Sequence, residues 1–259
     1  MNARFSSKTL RDALTTRFVG RRLEYRAVLG STQDLARRLA QAGAAEGTVV
    51  LAGRQTAGRG RLGRSFISPR GGLYFTVVLR PALEQLRPLP IIAALAVARG
   101  LERVAGLRTA LKWPNDVLVG GRKICGILVE SELMGQAVSY ALVGIGVNVN
   151  TDMAVYPEIA AIATSVTAEA GRSVSREALA AAVLSELEAL YLAVQSGRRV
   201  QDEWRARLET LGRQVRVTSG QTVEEGLAED VDGDGSLILL RPDGSRVSIA
   251  AGDVTLREG

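Results

Sequence analysis

Gly53-Arg54-Gln55-Thr56-Ala57-Gly58-Arg59-Gly60-Arg61-Leu62-Gly63-Arg64 is the stretch on which the reading of this chain turns. It holds four glycines and four arginines in twelve residues. The apolar, β-branched run Thr48-Val49-Val50-Leu51-Ala52 before it predicts a buried strand. A strand therefore delivers the chain into a flexible, cationic loop. Glycine lets the backbone come close to a ligand. Successive free N–H groups make an anion-binding concavity, and arginine forks grip carboxylate or phosphate in paired hydrogen bonds. This chemistry calls for an anionic ligand. The bland alternative is a mobile, solvated basic loop, but a loop without a ligand does not need glycine at every second or third position.

Gly58-Arg59-Gly60-Arg61-Leu62-Gly63 also satisfies the G-x-G-x-x-G dinucleotide pattern, and Glu84 lies at about the distance of a ribose-binding acid. A helix would have to open at those glycines so that its N-terminus faces a pyrophosphate. Instead Arg64 to Gly72 shows no 3.6-residue period, and Leu73 to Leu79 reads as another strand. The Rossmann reading fails on that point. No G-x-x-x-x-G-K-[ST] occurs, which removes a P-loop as well.

Outward from the loop, 259 residues with 46% hydrophobic and 23% charged content suffice for one large domain and a small one. The net charge of +6 could suit nucleic acid, but aromatics are 4% and no basic block exceeds three residues. One cysteine and no histidine exclude an internal disulfide, a histidine-based triad and Cys/His zinc sites. Met1 to Lys8 carries no apolar signal core, and the longest apolar run, Ile91 to Ala98, is too short to span a bilayer. A cytoplasmic, membrane-free protein is the expectation.

Residues 6 to 18 predict a short amphipathic helix and Leu23 to Leu29 a strand. Gly30-Ser31-Thr32 leads into a helix with Leu35, Ala36, Leu39 and Ala40 on one face, so Ser31 or Thr32 is its N-cap. Position alone leaves open whether these two only cap or also present hydroxyls and N–H groups to a ligand. Glu84 to Leu107 reads as a buried helix. Trp113-Pro114-Asn115-Asp116 ends one strand and starts another. Gly120-Gly121 makes a two-residue hairpin turn into the strands Lys123 to Glu130 and Ala137 to Val149, with Cys125 in the core. Residues 160 to 210 read as helical, with Leu179, Val183, Leu187, Leu190 and Val194 on one face. From Gly212 on, Val215 to Val217, Leu237 to Leu240 and Val247 to Ile249 are short strands of a small β domain, with a boundary near 210. Asp230 to Gly235 imitates a calcium loop, but position twelve is Arg241 and strands flank it, so it is a hairpin turn.

Taken in order, these segments resemble the motifs of biotin–protein ligases. Gln55 to Arg64 is similar to their signature loop and Lys112-Trp113-Pro114-Asn115-Asp116 to their second motif. Lys123 to Glu130 and Gly144-Ile145-Gly146-Val147-Asn148 resemble the third and fourth. Gly30-Ser31-Thr32 matches their biotin-pocket turn, and Ala251 to Arg257 the end of their small β domain. The resemblance implies an α/β (α+β) fold: a catalytic domain like class II aminoacyl-tRNA synthetases with a mixed sheet, plus an SH3-like β-barrel C-terminal domain. It divides the chain into an N-terminal helical segment 1–22, a biotin- and ATP-binding domain 23–210 and the small domain 211–259.

The implied activity has two half-reactions. Biotin and ATP, with Mg²⁺, give biotinyl-5′-adenylate, which then acylates a lysine of biotin carboxyl carrier protein. By position, the resemblance assigns Ser31, Thr32, Gln33, Gln55, Arg59, Gly60, Arg61, Lys123 and Gly126 to biotin. It assigns Arg61, Arg64, Phe66, Lys112, Asn115, Asp116, Lys123, Asn148, Asp253 and Arg257 to ATP and its metal, with Arg61 and Lys123 catalytic. From spacing alone Lys123 reads as an exposed turn lysine; the resemblance places it between carboxylate and α-phosphate. Two positions depart from the family's usual residues: Phe66 stands where tryptophan often covers adenine, and Gln33 replaces a common asparagine. About 30 residues precede Gly30, half of what a winged-helix domain needs, so a monofunctional ligase without specific DNA binding is expected, with a homodimer possible. A lipoate or octanoate ligase on a related fold is the runner-up, and a basic nucleic-acid-binding protein the reading from another class.

Overall fold

Val49–Ala52 and Leu73–Leu79 are buried at every position, and strands buried on both faces must lie between two layers. The computed structural model, which describes residues 5–256, has that arrangement. Its strands are β1 Leu23–Arg26, β2 Val49–Ala52, β3 Leu73–Leu79, β4 Ala110–Lys112, β5 Asp116–Val119, β6 Arg122–Met134 and β7 Ala137–Val147. They form one mixed sheet in the order β1-β2-β3-β7-β6-β5-β4. Only β1 and β2 are parallel, as their helical crossover requires. The helices are α1 Ser7–Ala13, α2 Thr32–Gln41, α3 Leu89–Ala105, α4 Val166–Ala170, α5 Arg176–Gln195 and α6 Gln201–Ala206.

One face of the sheet is covered by α3 and α5. Leu51, Phe75, Val77, Val143 and Ile145 pack there with Leu95, Leu101, Leu187 and Tyr191. The other face is only half covered. Ala36 and Ala40 of α2 sit with Val50, Val78, Tyr140 and Leu142. Beyond the N-terminus of α2 that face carries Thr76, Gly126, Gly144 and Gly146 and no apolar layer.

A bulge reorients the start of β6. Asp116 pairs with Gly126 and Val117 with Cys125, but Leu118 pairs with Lys123, so Ile124 is an extra residue. Ile124 and Cys125 are both fully buried in the helix-covered core. Lys123 therefore turns to the same side as Gly126, the effect bulges have beside sites. Burial pushes the Cys125 thiol well above the usual range. The turn before β6 has Gly120 and Gly121 at φ 56° and 73°, the values that a two-residue hairpin turn of this hand needs.

A second sheet holds β8 Gln214–Ser219, β9 Thr222–Val231, β10 Leu237–Leu240, β11 Arg246–Ile249 and β12 Asp253–Leu256, in the order β11-β10-β9-β8-β12. Its Val215, Val217, Leu237 and Leu239 join the main core, and Trp113 Nε1 donates to Gly235 O at 2.9 Å across the junction. The spans from 84 to 107 and from 160 to 210 are less helical than their composition suggests. Pro88 and Pro90 fix the start of the first at Leu89. The second is three helices, with Gly171 capping α4 in the left-handed region and Gly197 after α5. β9 and β12 escape the hydrophobic pattern because charged and polar residues interrupt their apolar positions. Of the segment Asp230 to Gly235, the first two residues end β9 and the rest is the turn into β10, where Asp232 Oδ1 accepts from the N–H groups of Asp234 and Ser236. Among the described residues no helix is long and apolar enough to cross a membrane.

Candidate functional site

The half-covered face opens into a cavity between α2, the basic loop, the bulged start of β6 and the small sheet. Ser31 caps α2, its Oγ accepting from Gln33 N at 3.2 Å. Gln55 fastens the loop's first residues: its Oε1 accepts from Thr32 N (2.8 Å) and Thr32 Oγ1 (3.1 Å), and its Nε2 donates to Ser68 Oγ (2.9 Å). Thr76 Oγ1 donates to Thr32 Oγ1 at 2.9 Å from the sheet below. Ser31, Thr32, Gln33 and Gln55 thus form one polar end wall. Gln33 Nε2 donates to Leu128 O (3.3 Å) and Glu130 Oε2 (3.1 Å). Its Oε1 is buried with no hydrogen-bond donor among the described residues.

The floor is bare of necessity. A Cβ on Gly144 would lie 3.0 Å from Gln33 Cδ, and one on Gly146 would lie 2.6 Å from the Phe66 ring. Phe66 therefore lies against glycine backbone, with its ring edge-on to Tyr74 at 6.4 Å and Lys123 Nζ 5.9 Å from its centroid.

The basic loop folds back on itself. Gly60 N donates to Arg64 O (2.7 Å) and Phe66 N to Gly58 O (2.9 Å), with Leu62 and Gly63 at φ 53° and 74° at the tip. Three of its cavity cations, with Lys123, are held differently. Arg59 bridges Asp34 (3.0 Å) and Glu130 (2.9 Å), and Arg37 meets the same Glu130 at 2.9 Å. Arg64 pairs with Asp253 at 2.6 Å, and Lys123 with Asp116 at 2.7 Å. Arg61 has no carboxylate contact among the described residues: its Nη1 donates to two neutral oxygens, Asn115 Oδ1 (3.2 Å) and Gly252 O (3.3 Å). Asn115 is itself fixed through Nδ2 to Ile127 O. Burial lowers the pKa of Arg61, while the nearby Asp253 and Asp116 raise it. Arg61 stays charged at neutral pH, since guanidinium starts so high. It is a partly desolvated cation whose charge an entering anion can meet directly.

Most residues expected from the sequence line this one cavity: the end wall, Arg59, Gly60, Arg61, Arg64, Phe66, Asn115, Asp116, Lys123, Gly126 and Asp253. Two do not. Lys112 sits on β4 opposite Asp116 by register, outside the lining. Asn148 is buried behind it, donating through Nδ2 to Thr164 O (3.0 Å) with its Oδ1 unpartnered among the described residues. Arg257 lies outside the described residues. Glu130 and Thr76, not among the residues expected from the sequence, also hold the site together. Period two from Gly126 through Leu128 puts Glu130 on the cleft side, and Thr76 is the lone aliphatic hydroxyl in the run Leu73–Leu79; both signals were present. Among the described residues no group of three or more His, Cys, Asp or Glu is placed to hold a metal.

Two family models match the chain: the Biotin/lipoate A/B protein ligase family over residues 25–148 and the Biotin protein ligase C terminal domain over 210–257. The chain is 35% identical to the bifunctional ligase/repressor BirA of Bacillus subtilis, over 98% of this chain and 79% of that protein. It is 36% identical to the biotin–[acetyl-CoA-carboxylase] ligase of Mycobacterium tuberculosis, over 95% and 94%. The biotin protein ligase of Aquifex aeolicus, solved with biotin and ATP, superposes with a TM-score of 0.79 at 30% identity, covering 92% of this chain and all of that one.

Proposed function

The chain belongs to the biotin protein ligase family, and from that membership we propose that its cavity joins biotin to ATP as biotinyl-5′-adenylate and passes biotin to a carrier lysine. The carrier is the biotin carboxyl carrier protein of a biotin-dependent carboxylase, in keeping with the relatives' names. The match of residues 210–257 to a domain named for biotin ligases favours biotin over lipoate. The observation that carries the reading is Arg61, a half-buried cation with only neutral partners, beside Lys123 over a glycine floor.

In the first half-reaction a biotin carboxylate oxygen attacks the α-phosphorus of ATP and pyrophosphate leaves. Two anions must approach, and they repel. Arg61 and Lys123, which line the same cavity, offset that repulsion, and the partial burial of Arg61 makes its charge count for more. Asp116 holds Lys123 Nζ in place through an ion pair at 2.7 Å. The unpartnered Gln33 Oε1 suits an N–H donor such as those of the biotin ureido ring, with Ser31, Thr32 and Gln55 fixing the wall around it. Phe66 offers the adenine a ring face, and Asn115 and Asp253 hold the arginines that meet the phosphates. Mg²⁺ fits as an ion carried mainly by the triphosphate. The cavity carboxylates Asp116 and Asp253 are too few for a protein cage but enough for the one or two ligands Mg²⁺ takes beside phosphate. It would shield phosphate charge. In the second half-reaction the carrier lysine, as free amine, attacks the acyl carbon; the C–N bond forms and AMP leaves.

The test is exchange of labelled pyrophosphate into ATP by the purified chain. Exchange that depends on biotin and is absent with lipoate or octanoate is expected. Exchange with lipoate and not biotin would replace this reading by the lipoate one.

A further inference from the structure

Of the 33 basic residues only three are lysine, Lys8, Lys112 and Lys123; the other thirty are arginine. For charge and solubility the two types are largely exchangeable, but toward an acyl-adenylate they differ. A lysine ammonium releases a proton within reach of neutral pH and becomes a nucleophile; guanidinium neither deprotonates nor attacks.

The three lysines are placed out of reach or out of action. Lys8 is on α1, behind the sheet with α5 and paired to Asp12 at 2.6 Å. Lys112 is outside the cavity lining, and Lys123 is tied up in an ion pair with Asp116 at 2.7 Å. The exposed cations that line the cavity, Arg59 and Arg64, are both arginine. Arg54 and Arg70 are the informative pair. Both are exposed and line the groove on the other side of the basic loop, which shares Gln55, Ser65 and Phe66 with the cavity. Neither guanidinium makes a hydrogen bond or ion pair among the described residues, so no contact calls for a fork rather than an ammonium.

We propose that this rim is kept free of amines so that the acyl-adenylate formed in the cavity is not consumed by the chain's own lysines. The inference rests on the biotin ligase reading. The reaction avoided is the productive one misdirected: a rim amine attacks the acyl carbon, a C–N bond forms, the C–O bond to phosphate breaks, AMP leaves with the electron pair, and the nitrogen's proton goes to solvent. The rim arginines thereby reserve transfer for a lysine that a partner inserts.

The experiment introduces amines at the rim and away from it. Wild type, Arg54→Lys, Arg70→Lys and the distal control Arg11→Lys are each incubated with biotin, ATP and Mg²⁺ without carrier. Intact mass and peptide mapping locate any biotin, and biotin-dependent pyrophosphate exchange is followed in parallel. Each rim variant should gain biotin on its new lysine at least about tenfold faster than wild type or Arg11→Lys gains any, because proximity raises the effective amine concentration. Normal exchange with rim lysines no more labelled than wild type would overturn the inference alone and make the arginine excess a compositional habit. Labelling of Arg11→Lys as fast as the rim variants would overturn it too. Absence of exchange in wild type would instead overturn the ligase reading.

Discussion

Ile145 and Gly146 are neighbours on β7, yet they belong to two different surfaces. On one face of the strand Val143, Ile145 and Val147 are buried in the main core. On the other, Gly144 and Gly146 present backbone to the cavity, touched by Gln33 and Phe66. Adjacent β3 repeats the division, with Phe75 and Val77 on the core side and Thr76 hydrogen-bonded to Thr32 on the other. Burying a large apolar side chain stabilises by roughly 1.5–3 kcal/mol, and the core face collects that along every strand. The cavity face gives up that packing. A sheet can support chemistry where its side chains are omitted, provided its opposite face is filled.

If the division holds, the largest effect comes from the core face. Phe75 is fully buried under α3 and α5, so Phe75→Ala should cost about 3–5 kcal/mol of stability. Denaturant unfolding would show it, while exchange per folded molecule stays near wild type. A matching rise in the KM for biotin would blur the two faces into one. Next is Arg61→Ala, on a loop that adds nothing to the core. It should raise the adenylation barrier by about 2.7–4 kcal/mol, the size of a lost oxyanion-hole donor, with unfolding almost unmoved. An Arg61→Ala enzyme within about threefold of wild type would remove Arg61 from the chemistry. Lys123→Ala should cost less, about 1.5–3 kcal/mol for a hydrogen bond to a charged group, since Asp116 already offsets part of its charge. The loss should fall on pyrophosphate exchange, with transfer from preformed biotinyl-adenylate less affected. Normal exchange with failed transfer would assign Lys123 to the incoming lysine instead.

Much of this division was legible in the sequence. The apolar runs of β2 and β3, the glycine spacing of the basic loop, and the motif around Asn115 and Asp116 all pointed to residues the fold brings together. Less legible were features that depend on pairing across strands. The bulge at Ile124 turns Lys123 from an ordinary turn lysine into a cavity cation, and no local pattern announces it. That Arg59 is held by Asp34 and Glu130 while Arg61 meets only neutral oxygens follows from three-dimensional neighbours, since both arginines share one loop and one composition. β9 was hidden because Glu224 and Glu225 interrupt the apolar alternation; in the sheet they are paired with Arg241 at 2.7 Å and Arg216 at 2.6 Å.

The most direct test of the division is Gly146→Ala, read by biotin-dependent pyrophosphate exchange beside its denaturant midpoint. The added methyl would stand 2.6 Å from the Phe66 ring, and overpacking of that kind costs about 1–3 kcal/mol. The account predicts that this cost falls on the ligands: exchange drops about tenfold or more, while folding stability stays within about 1 kcal/mol, because alanine suits a strand better than glycine. Unchanged exchange with a destabilised fold would contradict it, and would make the glycine floor a packing feature of the core rather than the seat of the reaction.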